Sequence, residues 1–263
     1  MNILFIGDIF GRPGRETIQK IVSTLKKERA IDLVIANGEN MAHGKGVNLK
    51  AYRELEKEID LFTTGNHTWA DEKILAEVNK ENTKILRPAN FPPGNHGKGF
   101  QVIEKERRKI LVINLIGRVF SKHHYDCPFR TVDGILKQFE HKKMDAILID
   151  FHAEATSEKI AMKHFVNGRV TALFGTHTHV QTADAEITSE GMAYMTDVGM
   201  VGPADSVIGI EKNEIVKSFI YQTPFKIVVP SGPCIFNAVM IEVDEKKAHT
   251  KAISPIHFFL KNI

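Results

Sequence analysis

The sequence predicts an α/β protein in which short buried strands alternate with helices. Five short apolar runs each lead directly into glycine or polar residues, a pattern typical of buried strands. The runs cover residues 3–6, 33–36, 61–64, 146–149 and 172–174. Between the first two runs, Ile18, Val22 and Leu25 recur at helical spacing, as in a helix that packs on a sheet. The start of the chain therefore predicts a βαβ unit.

The rest of the chain adds more helices, a long loop and a strand-rich final third. The segment from Arg87 to Gly97 is too rich in proline and glycine for regular structure, so we expect a loop there. Helices are expected at residues 14–29, 48–58, 69–79, 131–141 and 157–166. Strands are expected as a hairpin at 100–103 and 110–113, and then at 191–195, 216–222, 226–229 and 234–243.

The composition is that of an ordinary soluble protein. The chain has 263 residues, 43% of them apolar and 25% charged, with a net charge of +3. This charge balance argues against a protein that coats nucleic acid. The two cysteines have no metal-binding spacing. A signal-peptide pattern is missing, and no apolar run approaches the ~18–20 residues of a membrane span. We therefore expect a cytoplasmic protein with no membrane partner.

Candidate metal ligands stand directly after the predicted strands. They are Asp8, Glu39 with Asn40, Asn66 with His67, His152, and His177 with His179. Strands of one sheet present their carboxyl ends along one edge, so side chains from these ends would converge. Carboxylate, amide and imidazole groups in one place suit a pair of divalent metal ions. Because the first 70 residues and residues 150–180 share this site, we expect a single domain over 1–263.

Each motif also has a purely structural interpretation. Asp8 alone resembles the cap of the next helix, and Asn66 alone resembles a hydrogen-bonded turn residue. His152 follows Asp150 closely, and of these two the imidazole is the better candidate ligand. In an extended segment, His177 and His179 would point the same way, because side chains alternate along extended backbone.

Taken together, the motifs resemble the calcineurin-like metallophosphoesterase superfamily. Its pattern is Asp-x-His, Gly-Asp-x-x-Asp, Gly-Asn-His, a lone His, and Gly-His-x-His. The chain departs from this pattern at Phe10, at Glu39–Asn40 and at Thr176. These departures resemble one branch, the bacterial YmdB-type phosphodiesterases. The matching stretches are GDIFGRPGR (7–15), ANGENMAHGKG (36–46), TTGNHTWA (63–70), RPANFPPG (87–94), GTHTHVQTADA (175–185) and TDVGMVGPADSVIG (196–209).

The resemblance implies a fold and a role for each candidate residue. The implied fold is a four-layer α/β/β/α sandwich of two mixed sheets. Asp8, Asn40 and His179 would hold the first metal ion, with Asn40 compensating for the histidine that Phe10 replaces. Asn66, His152 and His177 would hold the second. Glu39 would bridge the two ions, and His67 would lie beside them without binding metal.

The resemblance also implies a reaction. Two ions would clamp a phosphate and lower the pKa of a bridging water, and the resulting hydroxide would attack phosphorus. His67 would protonate the leaving oxygen, because an imidazole titrates near neutral pH. Iron is the favoured metal, and manganese or zinc would suit the same ligands. We expect a homo-oligomer that hydrolyses small cyclic nucleotides, above all 2′,3′-cyclic AMP or GMP.

Other interpretations remain open. The same metals would serve an RNA-directed nuclease or a phosphomonoesterase, and RNA is the less favoured partner. A regulatory protein with a structural or sensory metal centre is a candidate of another class. His43 would contact the substrate phosphate or lie in solvent. Trp69 would anchor the core rather than stack on a nucleobase, and Asp197 receives no chemical role.

Overall fold

Two mixed β-sheets lie face to face in the computed structural model, which describes residues 1–261. The strands are β1 (Asn2–Ile6), β2 (Asp8–Ile9), β3 (Leu33–Asn37), β4 (Leu61–Thr63), β5 (Phe100–Lys105), β6 (Arg108–Ile116), β7 (Ala146–His152), β8 (Ala172–Thr176), β9 (Glu186–Ile187), β10 (Ala193–Met195), β11 (Met200–Pro203), β12 (Cys234–Asp244) and β13 (His249–Leu260). The α-helices are α1 (Gly11–Glu28), α2 (Leu49–Leu55), α3 (Leu75–Val78), α4 (Pro128–Phe139), α5 (Thr156–Val166) and α6 (Lys212–Tyr221). A short 3₁₀ helix, Glu72–Ile74, leads into α3.

The strand order brings the ends of the predicted ligand-bearing strands together. The first sheet has the order β2-β11-β12-β1-β3-β4, and β13 pairs with β12. Within it, β1, β3 and β4 are parallel, so their carboxyl ends share one edge. The second sheet has the order β5-β6-β7-β8-β10-β9, with β6, β7, β8 and β10 parallel. Each sheet also has antiparallel neighbours, so both are mixed.

Side-chain alternation in the strands builds three layers of core. In β1, Ile3 and Phe5 face the second sheet, whereas Leu4 and Ile6 face the outer helices. The rings of Phe5 and Phe174 lie 5.3 Å apart across the two sheets. The other face of the second sheet packs against α4 and α5. The expected four-layer α/β/β/α sandwich is confirmed.

The prediction of strands at 216–222 and 226–229 is wrong. Residues 212–221 form α6. Glu211 caps its N-terminus, because its side chain accepts a hydrogen bond from the amide of Glu214. Valine, phenylalanine and tyrosine in this segment favour strands by propensity. Here Ile215 packs in a small buried cluster that includes Phe10, and this packing stabilises a helix instead. Residues 226–229 form no strand.

Other elements differ in extent. The helix expected at 69–79 is only the 3₁₀ helix followed by α3. Strands β2, β9, β11 and β13 are additional to those expected. Pro255 lies within β13, where it is tolerated because β13 pairs only with β12 and so forms an edge of the described sheet. None of the helices in residues 1–261 combines the length and apolar composition that a membrane crossing requires. The last two residues of the expected domain, 262 and 263, lie outside the described part.

Candidate metal centre

The predicted ligands meet at the carboxyl ends of five strands. Asp8 comes just after β1, Glu39 and Asn40 follow β3, and Asn66 and His67 follow β4. His152 is the last residue of β7, and His177 and His179 follow β8. The sheet edges thus bring together side chains as far apart in the sequence as those of Asp8 and His179.

Asp8 lies at the middle of this group and is fully buried. Its Oδ2 accepts a hydrogen bond from the backbone amide of His177 at 3.1 Å. Its Oδ1 has no hydrogen-bond partner among residues 1–261 and lies 3.8 Å from His152 Nδ1 and from His179 Nε2. Burial, reinforced by the charge of Asp197, raises the pKa of Asp8 to about 8. A cation at this oxygen would satisfy the carboxylate and remove the cost of its burial.

His179 turns one ring nitrogen outward and the other toward the centre. Its Nδ1 lies 2.8 Å from the carbonyl oxygen of Ile208, which accepts the ring N–H. Its Nε2 lies 3.1 Å from the side-chain oxygen of Asn40. A protein acceptor on one nitrogen fixes the tautomer and leaves the lone pair of the other free for a metal.

His152 and His177 have the same arrangement. His152 Nδ1 lies 3.0 Å from Thr176 Oγ1, whose hydroxyl in turn donates to Asp150. His177 Nε2 lies 3.0 Å from the carboxylate of Glu154. The remaining nitrogens, His152 Nε2 and His177 Nδ1, face each other at 3.0 Å. Burial lowers the pKa of both imidazoles, so both are neutral at neutral pH, as metal ligation requires.

Glu39 lies between His152 and the loop that carries Asn66 and His67. It is buried, and burial raises its pKa well above the usual range. Its carboxylate accepts hydrogen bonds from the backbone amides of Gly65 at 2.6 Å and His67 at 2.7 Å. Its Oε1 also lies 3.8 Å from His152 Nε2. Glu39 therefore holds the loop that carries Asn66 and His67, in addition to any contact with metal.

The packing of the 65–67 loop on His152 requires glycine at position 65. A Cβ atom there would overlap the His152 ring. This close approach brings Asn66 Oδ1 to 3.3 Å from His152 Nε2.

In residues 1–261, no three His, Cys, Asp or Glu side chains form a complete metal cluster by themselves. Two of the seven expected ligands are asparagines and Glu39 is engaged with backbone amides. A full coordination shell would therefore include amide oxygens.

The expectation that His177 and His179 lie in an extended segment is wrong. Their φ angles are +103° and +66°, in the left-handed half of backbone space. The two rings converge on the centre because the chain turns at both residues, not because side chains alternate. Such angles are uncommon for residues other than glycine, and they persist only where surrounding contacts enforce them.

His67 lines a cleft of about 680 Å³ next to the buried group. Asn66, His152 and His177 form its floor, and Trp69 and Phe120 are among its walls. Burial, with a smaller contribution from Lys45, lowers the pKa of His67 to about 4. The expectation that this imidazole titrates near neutral pH therefore does not hold for the free protein.

The expectations for His43 and Trp69 have different outcomes in the structure. His43 is exposed and lines a separate cavity of about 620 Å³ together with Arg12 and Asn48, so its contact with a substrate phosphate gains no support. Trp69 packs against the core, as expected, with its ring 6.3 Å from that of Phe91. It also borders the cleft.

A second layer of polar residues was missed by sequence reasoning. Asp150 is buried and accepts hydrogen bonds from Asn37, Thr63 and Thr176, and burial raises its pKa to about 7. Polar residues inside apolar strands were the available signal for this network. For Glu154, which orients His177 from the edge of the cleft, the sequence carries no comparable signal.

Comparison with known proteins gives one consistent result. A family model described as "YmdB-like protein" matches residues 4–256. A protein of Bacillus subtilis (strain 168) described as 2′,3′-cyclic-nucleotide 2′-phosphodiesterase is 43% identical over 247 residues, covering 94% of this chain and 92% of that protein. A crystal structure of a novel phosphatase from Mycoplasma pneumoniae has a TM-score of 0.93 at 36% identity, covering 100% of this chain and 94% of that one. The structure of a hypothetical protein from Thermus thermophilus has a TM-score of 0.92 at 38% identity, covering 99% of this chain and 100% of that one.

Proposed function

The chain belongs to the YmdB-like protein family, and on this premise we propose that it is a metal-dependent phosphodiesterase acting on 2′,3′-cyclic nucleotides. The B. subtilis relative, 43% identical, has that activity in its name. The structural observation that carries the proposal is the environment of Asp8. A buried carboxylate oxygen with no hydrogen-bond partner in residues 1–261 faces imidazole nitrogens beside an open cleft. This arrangement suits a cation better than it suits an empty interior.

Seven side chains fit two metal ions. Asp8, Asn40 and His179 would hold one, and Asn66, His152 and His177 would hold the other, with Glu39 between them. When bound, the two ions would offset the charge of a phosphate and lower the pKa of water. The nitrogen and oxygen donors suit iron, manganese or zinc. Iron as the native metal, and the homo-oligomer, stay predictions.

His67 serves as the proton donor to the leaving oxygen. It borders the cleft, and its backbone is fixed by Glu39. In the free protein its low pKa keeps the imidazole neutral. The negative charge of a bound phosphate would raise this pKa, whereas the metal ions would lower it.

The cleft suits a nucleotide rather than a bare phosphate. Its volume of about 680 Å³ is in the range of small-molecule sites. Lys45 and Lys122 line the cleft and supply positive charge, and Phe120 supplies an exposed aromatic surface that would stack a base. The bond broken would be that between phosphorus and the 2′ oxygen, which leaves a nucleoside 3′-phosphate.

The test uses purified, metal-loaded protein with 2′,3′-cyclic AMP, bis(p-nitrophenyl) phosphate, a phosphomonoester and a single-stranded RNA. We expect hydrolysis of the two diesters and a 3′-phosphate as the product from cyclic AMP. Inactivity toward both diesters would refute the proposal. Faster cleavage of the RNA or of the monoester would favour the nuclease or the phosphomonoesterase instead.

A further inference from the structure

A buried ion pair lies directly behind the candidate metal centre. Lys159 on α5 and Asp197 after β10 approach at 2.7 Å between Nζ and Oδ2, and each side chain is only 1% exposed. Taking both charges out of water is costly, so a pair of this kind needs further contacts to be worth keeping. None of the steps proposed above uses either residue.

Asp197 also accepts hydrogen bonds from the loop that carries two of the candidate ligands. Its Oδ2 accepts from the backbone amide of Thr178 at 3.0 Å and from the Thr178 hydroxyl at 2.8 Å. Its Oδ1 accepts from the amide of Gly199 at 2.8 Å. Thr178 is the single residue between His177 and His179, whose φ angles are both positive. The carboxylate therefore grips the loop at the point between its two unfavourable backbone conformations.

Lys159 contacts the same segment from the other side. A Cβ atom on Gly175 would come within 3.0 Å of Lys159 Cδ, so the lysine stem lies against the backbone where β8 leads into the loop. The ammonium group donates to Asp197 Oδ2 at 2.7 Å and so holds this side chain in place. A hydrogen bond between charged groups is stronger than one between neutral groups.

Resting on the proposed function, we infer that Lys159 and Asp197 are positioning residues that hold His177 and His179 in the geometry needed for metal binding. Asp197 fixes the backbone at Thr178, and Lys159 fixes Asp197. Partners that orient metal ligands typically change metal affinity by roughly 10- to 100-fold when they are removed.

The variants are chosen to separate positioning from general stability. Asp197→Asn removes the charge at nearly constant shape, and Lys159→Met removes the cation at similar length. Thr178→Val deletes only the hydroxyl hydrogen bond, and it serves if either buried-charge variant fails to fold. Lys163→Met is the matched control, because Lys163 is on the same helix and its partner Glu186 is at the surface.

Two readouts are measured on each full-length variant. The first is hydrogen–deuterium exchange of the metal-free protein over residues 176–180, and the second is Mn²⁺ affinity by titration calorimetry. We expect faster exchange at 176–180 without faster exchange in β1, and Mn²⁺ affinity lowered about 10- to 100-fold. Lys163→Met should match the wild type in both.

Unchanged exchange at 176–180 in folded Asp197→Asn and Thr178→Val would overturn the inference, and so would a rise spread evenly over the chain. Failure of the proposed function has a different signature, because the wild-type protein would then bind no Mn²⁺ and leave both phosphodiesters intact. The exchange measurement needs no metal. It therefore tests whether Lys159 and Asp197 hold residues 176–180 even if the proposed function is wrong.

Discussion

Asn40 and His179 meet at 3.1 Å, between the amide oxygen of one and Nε2 of the other, across 139 residues of sequence. The edge of the Phe10 ring packs against His179 with the ring centres 5.6 Å apart. Phe10 therefore fills space beside the centre without offering a ligand. This arrangement supports the idea that Asn40 supplies the oxygen where a histidine at position 10 would otherwise bind.

Asn40→Ala should weaken binding of the metal ion that Asp8 and His179 share. The expected loss in kcat is on the order of 100-fold or more, because metal stabilisation of the transition state is worth several kcal/mol. Asn40→Asp keeps an oxygen at the same place and should retain metal. Elemental analysis and steady-state kinetics check both variants. Equal metal content in wild type and Asn40→Ala would remove Asn40 from the ligand set.

His67→Ala should keep the metal content of the wild type and lose turnover. General acid catalysis contributes about 10²- to 10⁴-fold, so kcat should fall by that amount. The loss should be smaller for bis(p-nitrophenyl) phosphate, since its leaving group needs less help from a proton. His141→Ala, which changes an exposed histidine after α4, is the control. Loss of metal from His67→Ala would show that His67 is a ligand.

Glu39→Gln and Glu39→Ala should separate two roles of the same residue. Both variants remove a charge next to His152, so both should lose metal. Glu39→Gln keeps one of the two oxygens that accept from the amides of Gly65 and His67 at 2.6 and 2.7 Å, whereas Glu39→Ala removes both. Its melting temperature should therefore fall below that of Glu39→Gln. Thermal unfolding of metal-free samples measures the difference, and identical melting temperatures would mean that these hydrogen bonds do not hold the loop.

Above about pH 6.5, metal-free protein should become less stable as pH rises. Below that pH, the lowered pKa values of His152, His177 and His179 have the opposite effect on stability. Burial raises the pKa of Asp8 to about 8 in the folded protein, above its ordinary value of 3.8. Between these values the folded state keeps a proton that the unfolded chain has released. Stability is therefore lost progressively as pH rises through this window, by at most about 1.4 kcal/mol per pH unit for one proton.

Urea unfolding of chelator-treated protein from about pH 6.5 to about pH 8 measures this slope. Asp8→Asn should flatten it, and so should saturating Mn²⁺ in the wild type, because a bound cation replaces the proton. The same slope in Asp8→Asn and in wild type would show that Asp8 is not the group responsible.

The strand ends and the positions of the candidate ligands on them could be predicted from sequence because both depend on local patterns. Gly-Asn-His directly after a buried strand places two polar side chains at a sheet edge, and the parallel order of β1, β3 and β4 then makes convergence unavoidable. The propensity of residues 216–222 favours a strand, whereas the packing of Ile215 decides for α6.

What could not be predicted depends on contacts between distant residues. The pairing of Lys159 with Asp197 spans 38 residues, and no local pattern marks either one as buried. The positive φ angles of His177 and His179 depend on the contacts that hold the loop, such as those of Asp197 with Thr178. No local sequence pattern shows these contacts. The low pKa of His67 results mainly from burial, which depends on the folded cleft and not on any local sequence pattern.

Anomalous diffraction from crystals of the Mn²⁺-loaded protein tests the two-metal centre most directly. We expect two anomalous peaks, one contacting Asp8, Asn40 and His179 and the other contacting Asn66, His152 and His177, with Glu39 between them. Elemental analysis of the same protein should give about two ions per chain. A single peak, or peaks elsewhere, in crystals of protein that hydrolyses 2′,3′-cyclic AMP would contradict the proposed centre.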